Sequence, residues 1–441
     1  MKARTAAVII LNKLNDRFYG YEEVMEKFFR TERFKPEDRH FIHTLVKGTI
    51  EQSAFLDFVI SNTYQGNFRN LEKITLNILR LGVFQAKILR TPVHAYVNET
   101  VNVTKELKAE RITGLINGVL RNIISDKEIE TIFSKVTPLK KLAIKYSFQQ
   151  WMIEKWFLDF GQENTIKLLE YYNSAPEIFF RVNPLRANPG TFFTLLKNKG
   201  FKVQVHSEKP GQFFTVDNAA KLLSGDLFQK GFISVQDMSQ AFAVELLRPA
   251  IGERILDVCA APGGKSTYLA QLTQNLGHIK SYDLSFEKLK LMKAEMQRQE
   301  ITCIETFEAD ATKFQFSPAD KILVDAPCTG TGVLGRKADL RWSRQPGDIT
   351  KTNLLQKEIL ANAAKSLKPG GILVYSTCSL EKEENQTIVE DFLINNPDFK
   401  LEPADKYVDK KYCDSKGFVT ILPFQHLMSG GFAARLKKDV K

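Results

Sequence analysis

The chain is poor in cysteine, with five in 441 residues, at positions 259, 303, 328, 378 and 413. None forms a CxxC pair and none has a histidine at metal-ligand spacing, which argues against a disulfide framework and against a metal site. Reduced thiols in a reducing compartment are the simpler expectation. Long apolar runs are also missing, since no stretch reaches the roughly 18 residues that a membrane helix needs. The opening MKARTAAVIILNKLNDRF is interrupted by Asn12, Lys13, Asn15 and Asp16 before a signal-type core extends. The expectation is a cytoplasmic protein with no membrane partner. Low-complexity tracts and internal repeats of about 20 to 50 residues are absent, which excludes solenoids and extended disordered arrays.

What is present is length and basic charge. At 441 residues the chain exceeds what one hydrophobic core usually serves, so two or three domains are expected. Its 43% apolar and 26% charged residues are those of a globular protein. Residues 1–150 carry 24 Lys and Arg against 16 Asp and Glu, so most of the net charge of +11 lies in the first third. A basic domain joined to a nearly balanced remainder points to a polyanionic partner, nucleic acid first.

Three textures follow one another along the chain. Residues 1–150 show apolar residues at three- and four-residue spacing, as in LEKITLNILRLGVFQAKIL (Leu71, Ile74, Ile78, Leu81), and predict an all-helical domain. Residues 151–240 begin with a helix and continue with short aromatic and β-branched runs, IFFRVNPL, KVQVHS and GQFFTVD, around the helix TFFTLLKNKG; they predict a small α+β module. From residue 241 to 441 strands alternate with helices. ERILDVCA, HIKSYDL, TCIETFEAD, DKILVDAP and GGILVYSTC are the candidate strands, and their order predicts a parallel, doubly wound α/β sheet of Rossmann type.

In such a sheet, chemistry belongs just beyond the carboxyl ends of the strands. Those positions hold Cys259, Ala260, Ala261, Pro262, Gly263, Gly264 and Lys265 after the first strand, Asp283 after the second and Asp310 after the third. Asp325 and Cys328 follow the fourth, and Cys378 the fifth. The loop CAAPGGKST resembles an ATP-binding loop with Cys259 in place of its first glycine, and ILVDAP would pass for the magnesium-binding strand, so a P-loop-like NTPase is one alternative. Against it, Pro262 removes a backbone N–H from the loop that would have to cradle phosphates. Gly263 and Gly264 permit close approach of a ligand, and Asp283, 19 residues after Gly264, suits a ribose hydroxyl pair. An adenosine ligand without phosphates fits best. Cys259, Cys303 and Cys413 read as ordinary small buried residues, whereas Cys328 and Cys378, placed after successive strands beside Asp325, read as functional.

DVCAAPGGKS, DAPCTGTGV with RKADLRW, and YSTCSLEKEEN together resemble the RsmB/Sun class of S-adenosylmethionine-dependent RNA cytosine-5 methyltransferases. GFISVQDMSQAFAVELL and RVNPL resemble the segments that precede the first motif in that class, and ILRLGVFQ and NGVLRNI resemble its NusB-type N-terminal RNA-binding domain. The resemblance covers nearly the whole chain. It implies S-adenosylmethionine as methyl donor and small-subunit 16S rRNA or an assembly intermediate as partner; a monomer is the default expectation. By its motifs Cys378 is the nucleophile on cytosine carbon 6, Cys328 serves product release, and Asp325 binds the base edge near the methyl. Residues 259–265 hold the donor, with Asp283 on its ribose and Asp310 near its adenine. Lys265 is either a helper of the thiol or a loop anchor, and Asp339 and Trp342 match the loop after the fourth strand. The chain departs from the class at Ala338, Ser429, Gly431 and Ala433. An RNA-binding assembly factor without catalysis is the alternative outside enzymes.

Overall fold

The computed structural model of the chain describes residues 1–14, 20–206 and 212–440. Two compact units account for these residues, Met1–Ser174 with Leu334–Arg344, and Ala175–Val333 with Gln345–Lys441. Among the described residues no helix is long and apolar enough to cross a membrane.

The first unit is helical, with Ala3–Lys13, Pro36–Glu51, Lys73–Lys87 and Val93–Glu106 among its helices and Gln150–Asn173 its last long one. The three- and four-residue spacing of the sequence becomes a buried face, for Ile78, Leu79, Leu81 and Val83 of Lys73–Lys87 are fully inaccessible. A side chain at Gly48 would lie 2.2 Å from the Phe84 ring, so glycine is what lets Pro36–Glu51 approach that helix. The segment Leu334–Arg344 comes from far along the chain yet belongs to this unit. Ala338 lies in the helical core, the Trp342 indole donates to the Ile50 carbonyl at 2.7 Å, and the buried Arg341 guanidinium donates to Tyr172 O and Asn173 Oδ1. Trp342 thus serves packing in the helical unit, and Asp339 lies half-buried in the same segment.

The second unit holds two sheets. The smaller consists of β1 (Phe180–Val182), β2 (Val203–His206), β3 (Phe213–Val216) and β4 (Ile233–Val235), antiparallel in the order β2-β3-β1-β4. Its buried face places Phe180 and Phe214 rings 5.5 Å apart, with Phe192 of Pro189–Asn198 packed against them. The expected strands KVQVHS and GQFFTVD each extend to a residue outside those described, Ser207 and Gly211.

The larger sheet realises all five candidate strands as β5 (Arg254–Val258), β6 (His278–Asp283), β7 (Ile304–Glu308), β8 (Ala319–Asp325) and β9 (Leu367–Thr377). They pair in parallel in the order β9-β8-β5-β6-β7. The order reverses between β5 and β8, and at that point the carboxyl ends of two adjacent strands open a crevice. The sheet is mixed rather than wholly parallel. After β10 (Phe399–Glu402) and β11 (Val419–Ile421), β12 (Gly431–Lys438) runs antiparallel to β9 and to β10. Only a short connection links β11 to β12, too short for the crossover that a parallel pairing requires.

Candidate active site

The first loop of the site follows β5. Val258 hands over to Cys259 at a left-handed backbone angle (φ 71°), and Gly263 adopts φ 101° just before helix Gly264–Leu272. A side chain at Gly263 would stand 2.6 Å from Met292, so this position combines a positive φ with close approach. Asp283, at the end of β6, accepts from the backbone N–H of Ala261 at 3.0 Å and of Ser285 at 2.9 Å, which ties the loop to the neighbouring strand. Asp310, beyond β7, accepts from the Thr312 hydroxyl at 2.7 Å and its N–H at 3.0 Å, and these bonds hold its carboxyl below the usual range. Burial, reinforced by Asp283, pushes the Cys259 thiol up, so it remains neutral and serves as a packing group.

The second part joins β5, β8 and β9. Lys265 donates to Asp325 Oδ2 at 2.7 Å, and Ser376 Oγ donates to Asp325 Oδ1 at 3.0 Å. Burial by itself would lower the Lys265 ammonium, but Asp325 outweighs it by charge and hydrogen bonding, and the net shift is upward. The ammonium is committed to a carboxylate, which leaves it poorly suited to the phosphate-binding role of the NTPase alternative. The Sγ atoms of Cys328 and Cys378, fifty residues apart in sequence, lie 3.4 Å from each other. The Cys328 thiol is held well above its ordinary range, first by its hydrogen bond to Cys378, then by burial and by the charge of Glu384. Two thiolates cannot coexist at that distance, so the pair retains at least one proton between its two sulfurs. Lys265 is electrostatically coupled to that same sulfur.

Residues outside the strand-end motifs complete the arrangement. Arg181 of β1 is fully buried, lies 4.4 Å above the Tyr268 ring, and donates to the Gly264 carbonyl at 3.1 Å and to Thr267 Oγ1 at 3.2 Å. Burial lowers its guanidinium to about 10, still a cation at neutral pH. Its only advance signal is the RVNPL segment. Beside the loop a cavity of about 340 Å³ is lined by Gln236, Ala261, Pro262, Gly264, Lys265 and Asp325. The Gln236 side chain is 4% exposed, and its Nε2 has no hydrogen-bond partner among the described residues. An acceptor on a bound molecule would satisfy it. Loop glycines, a carboxylate at the end of β6 and this unpartnered donor form a set that fits a nucleoside ligand.

A family described as "16S rRNA methyltransferase RsmB/F" matches residues 244–437, the "NusB family" matches residues 1–125, and the "Methyltr_RsmF/B-like, ferredoxin-like domain" matches residues 148–213. Fold, strand-end site and these matches define an RNA methyltransferase with an appended helical domain and a small ferredoxin-like module. The probable ribosomal RNA small subunit methyltransferase B of Bacillus subtilis is 30% identical over 99% of this chain and 98% of its own. The chain belongs to the ribosomal RNA small subunit methyltransferase B family. The crystal structure of PH0851 superposes with a TM-score of 0.82 at 26% identity, covering 99% of each chain. NSun6 from Pyrococcus horikoshii, solved with SFG, gives 0.59 at 25% identity over 66% of this chain and 97% of its own.

Proposed function

We propose that this protein transfers a methyl group from S-adenosylmethionine to carbon 5 of a cytosine in 16S rRNA, through a covalent adduct between Cys378 and carbon 6. The observation that carries the reading is the 3.4 Å pairing of Cys328 and Cys378 beside the Lys265–Asp325 ion pair. Support for the donor comes from the fit of the β5 loop and Asp283 to an adenosine, and from the S-adenosylmethionine analogue in the related NSun6 structure. Residues 259–265 would hold the donor, Asp283 its ribose and Asp310 its adenine end. When bound, the donor supplies an electrophilic methyl group.

The chain's own residues account for the rest. Carbon 5 of cytosine is a weak nucleophile, and addition of the Cys378 thiolate to carbon 6 turns it into an enamine-like carbon that attacks the methyl. Asp325 faces the base edge and, with Lys265 beside it, stabilises the protonated form of the adduct. In the release step Cys328, free to ionise once Cys378 is a neutral thioether on carbon 6, takes the carbon 5 proton as its thiolate; the C–H electrons re-form the double bond between carbons 5 and 6, and the bond to sulfur breaks to expel the Cys378 thiolate. A cytosine must leave its stack to meet a sulfur face-on, so the target is flipped out or already single-stranded. Residues 1–150 would bind the RNA, 151–240 would form the small module and 241–441 the catalytic domain, in a cytoplasmic monomer.

The test is RNA carrying 5-fluorocytosine, which cannot lose its carbon 5 substituent after methyl transfer. Incubated with donor, wild-type protein forms a denaturant-stable adduct and Cys378→Ser forms none. Full activity in Cys378→Ser would end this reading.

A further inference from the structure

We infer that Glu384 is the positioning residue of the cysteine pair, a single buried carboxylate that fixes the loop carrying Cys328 against the loop carrying Cys378. The inference rests on the two-cysteine reading above and adds a residue that touches neither sulfur.

Glu384 is fully buried. Its Oε1 accepts from the Thr329 N–H at 2.8 Å, from Thr352 Oγ1 at 2.5 Å and from Gln356 Nε2 at 3.2 Å. Its Oε2 accepts from Thr329 Oγ1 and from Ser379 Oγ, each at 2.5 Å. Thr329 is the chain neighbour of Cys328 and Ser379 the neighbour of Cys378, so one carboxylate grips both cysteine loops immediately beside their sulfurs. Gln356 extends the grip, donating also to the Pro327 carbonyl at 2.9 Å. The Glu384 backbone is itself anchored, since its carbonyl accepts from the Tyr375 hydroxyl at 2.6 Å.

Two features separate this carboxylate from an ordinary structural acid. Among the described residues no cation pairs with it, and all five of its donors are neutral. A buried charge without a counter-ion is expensive, and a neutral side chain of similar shape would fill the same space at lower cost. What the charge provides is a set of short, stiff hydrogen bonds to both loops at once. Its negative charge also acts on the nearby Cys328, favouring the protonated thiol there. Glu384 therefore fixes where the two sulfurs stand relative to each other.

The experiment compares full-length wild-type protein with Glu384→Gln, Ser379→Ala, Thr329→Val and a core variant, Ile359→Ala. The probe is unmodified 16S rRNA transcript with S-adenosylmethionine. Measured are the melting temperature, KM for RNA and donor, kcat, and the fraction of protein in a denaturant-stable RNA adduct during turnover. Misplacing a reacting group by about 1 Å costs roughly 100-fold. Glu384→Gln is expected to lose about that factor in kcat with KM values unchanged, and to accumulate adduct because release by Cys328 slows more than addition by Cys378. Ser379→Ala and Thr329→Val shift the adduct-to-product ratio the same way by a smaller factor, whereas Ile359→Ala lowers the melting temperature and leaves that ratio alone. The inference is overturned if folded Glu384→Gln keeps the wild-type ratio, or if Ile359→Ala shifts it as much. Should Glu384→Gln fail to fold, unchanged ratios in both hydroxyl variants overturn it equally. Cys378→Ser run in parallel separates the two readings, because activity there removes the adduct mechanism itself, while its loss with unchanged Glu384 ratios removes only the positioning role.

Discussion

At the end of β5 the loop takes its shape from backbone, whereas at the ends of β8 and β9 the loops take theirs from buried side chains. Cys259 and Gly263 bend the first loop through positive φ angles, and Asp283 receives main-chain N–H groups. Across the crevice Glu384, Thr329, Ser379, Thr352 and Gln356 knit two loops together through side-chain bonds. A backbone-shaped loop leaves room for a ligand to approach the main chain. A side-chain-knit pair fixes two reactive atoms relative to each other. The difference follows the division of labour expected of a donor pocket and a covalent centre.

The largest effect expected from breaking the covalent half is that of Cys378→Ser, which should lower kcat on the order of 10⁴-fold or more with donor binding intact. Donor-induced stabilisation against heat measures the second point, and its disappearance would mean that the two halves are not separable. Lys265→Met comes next, because the ion pair with Asp325 spans the border between the halves. Removing one partner of a buried pair costs about 3–5 kcal/mol, and since the Asp325 side chain is 31% exposed the loss should fall nearer 1–3 kcal/mol in chemical denaturation. Turnover should fall as well, while an unchanged rate would restrict Lys265 to anchoring the loop.

Two glycine substitutions sharpen the contrast. A side chain at Gly332 would stand 2.7 Å from the carbonyl oxygens of both Cys378 and Gly430, with backbone on each side and no room to yield. Gly332→Ala should therefore destabilise by about 1–3 kcal/mol. At Gly264 the nearest atom to an added Cβ is Gln236 Nε2 at 3.7 Å, an ordinary contact. Gly264→Ala should melt within a degree or two of wild type, yet raise KM for the donor by crowding the cavity. Equal melting losses in the two variants would show that the β5 loop is as tightly packed as the cysteine loops.

How much of this was legible in sequence follows the same contrast. The five parallel strands and the residues at their ends were readable because each is a local pattern, an apolar run closed by a turn. The antiparallel β12 was not, since GGFAARLKK has no feature that sets its direction, and only the short connection from β11 does so. Glu384 was hidden inside EKEEN, a charge run that reads as a solvated surface, because four of its five donors lie 28 to 55 residues away. Arg181 was hidden for a related reason, its partners lying on a helix that begins more than eighty residues later. Leu334–Arg344 carries a buried Arg and a Trp, yet nothing local announces that it packs with helices from the first third of the chain.

A pH series tests how the β5 side of the crevice tolerates buried charge. Asp257 lies in β5 with no exposure, accepts from Ser266 Oγ, and has its Oδ1 without a partner among the described residues. Burial raises its carboxyl to about 7, against the opposing hydrogen bond from Ser266. A folded-state value above the unfolded one means that the folded protein binds the proton more tightly. The stability this provides is complete below the ordinary carboxylate range and is lost as pH rises toward 7, at up to about 1.4 kcal/mol per pH unit. Asp257→Asn keeps the shape and the bond to Ser266 but has nothing to ionise. The melting temperature of the variant should therefore gain on that of wild type as pH increases from 5 to 7 and hold a constant lead above it. A gap that does not change with pH would mean that Asp257 remains charged throughout, with its charge balanced by Lys265 across the site.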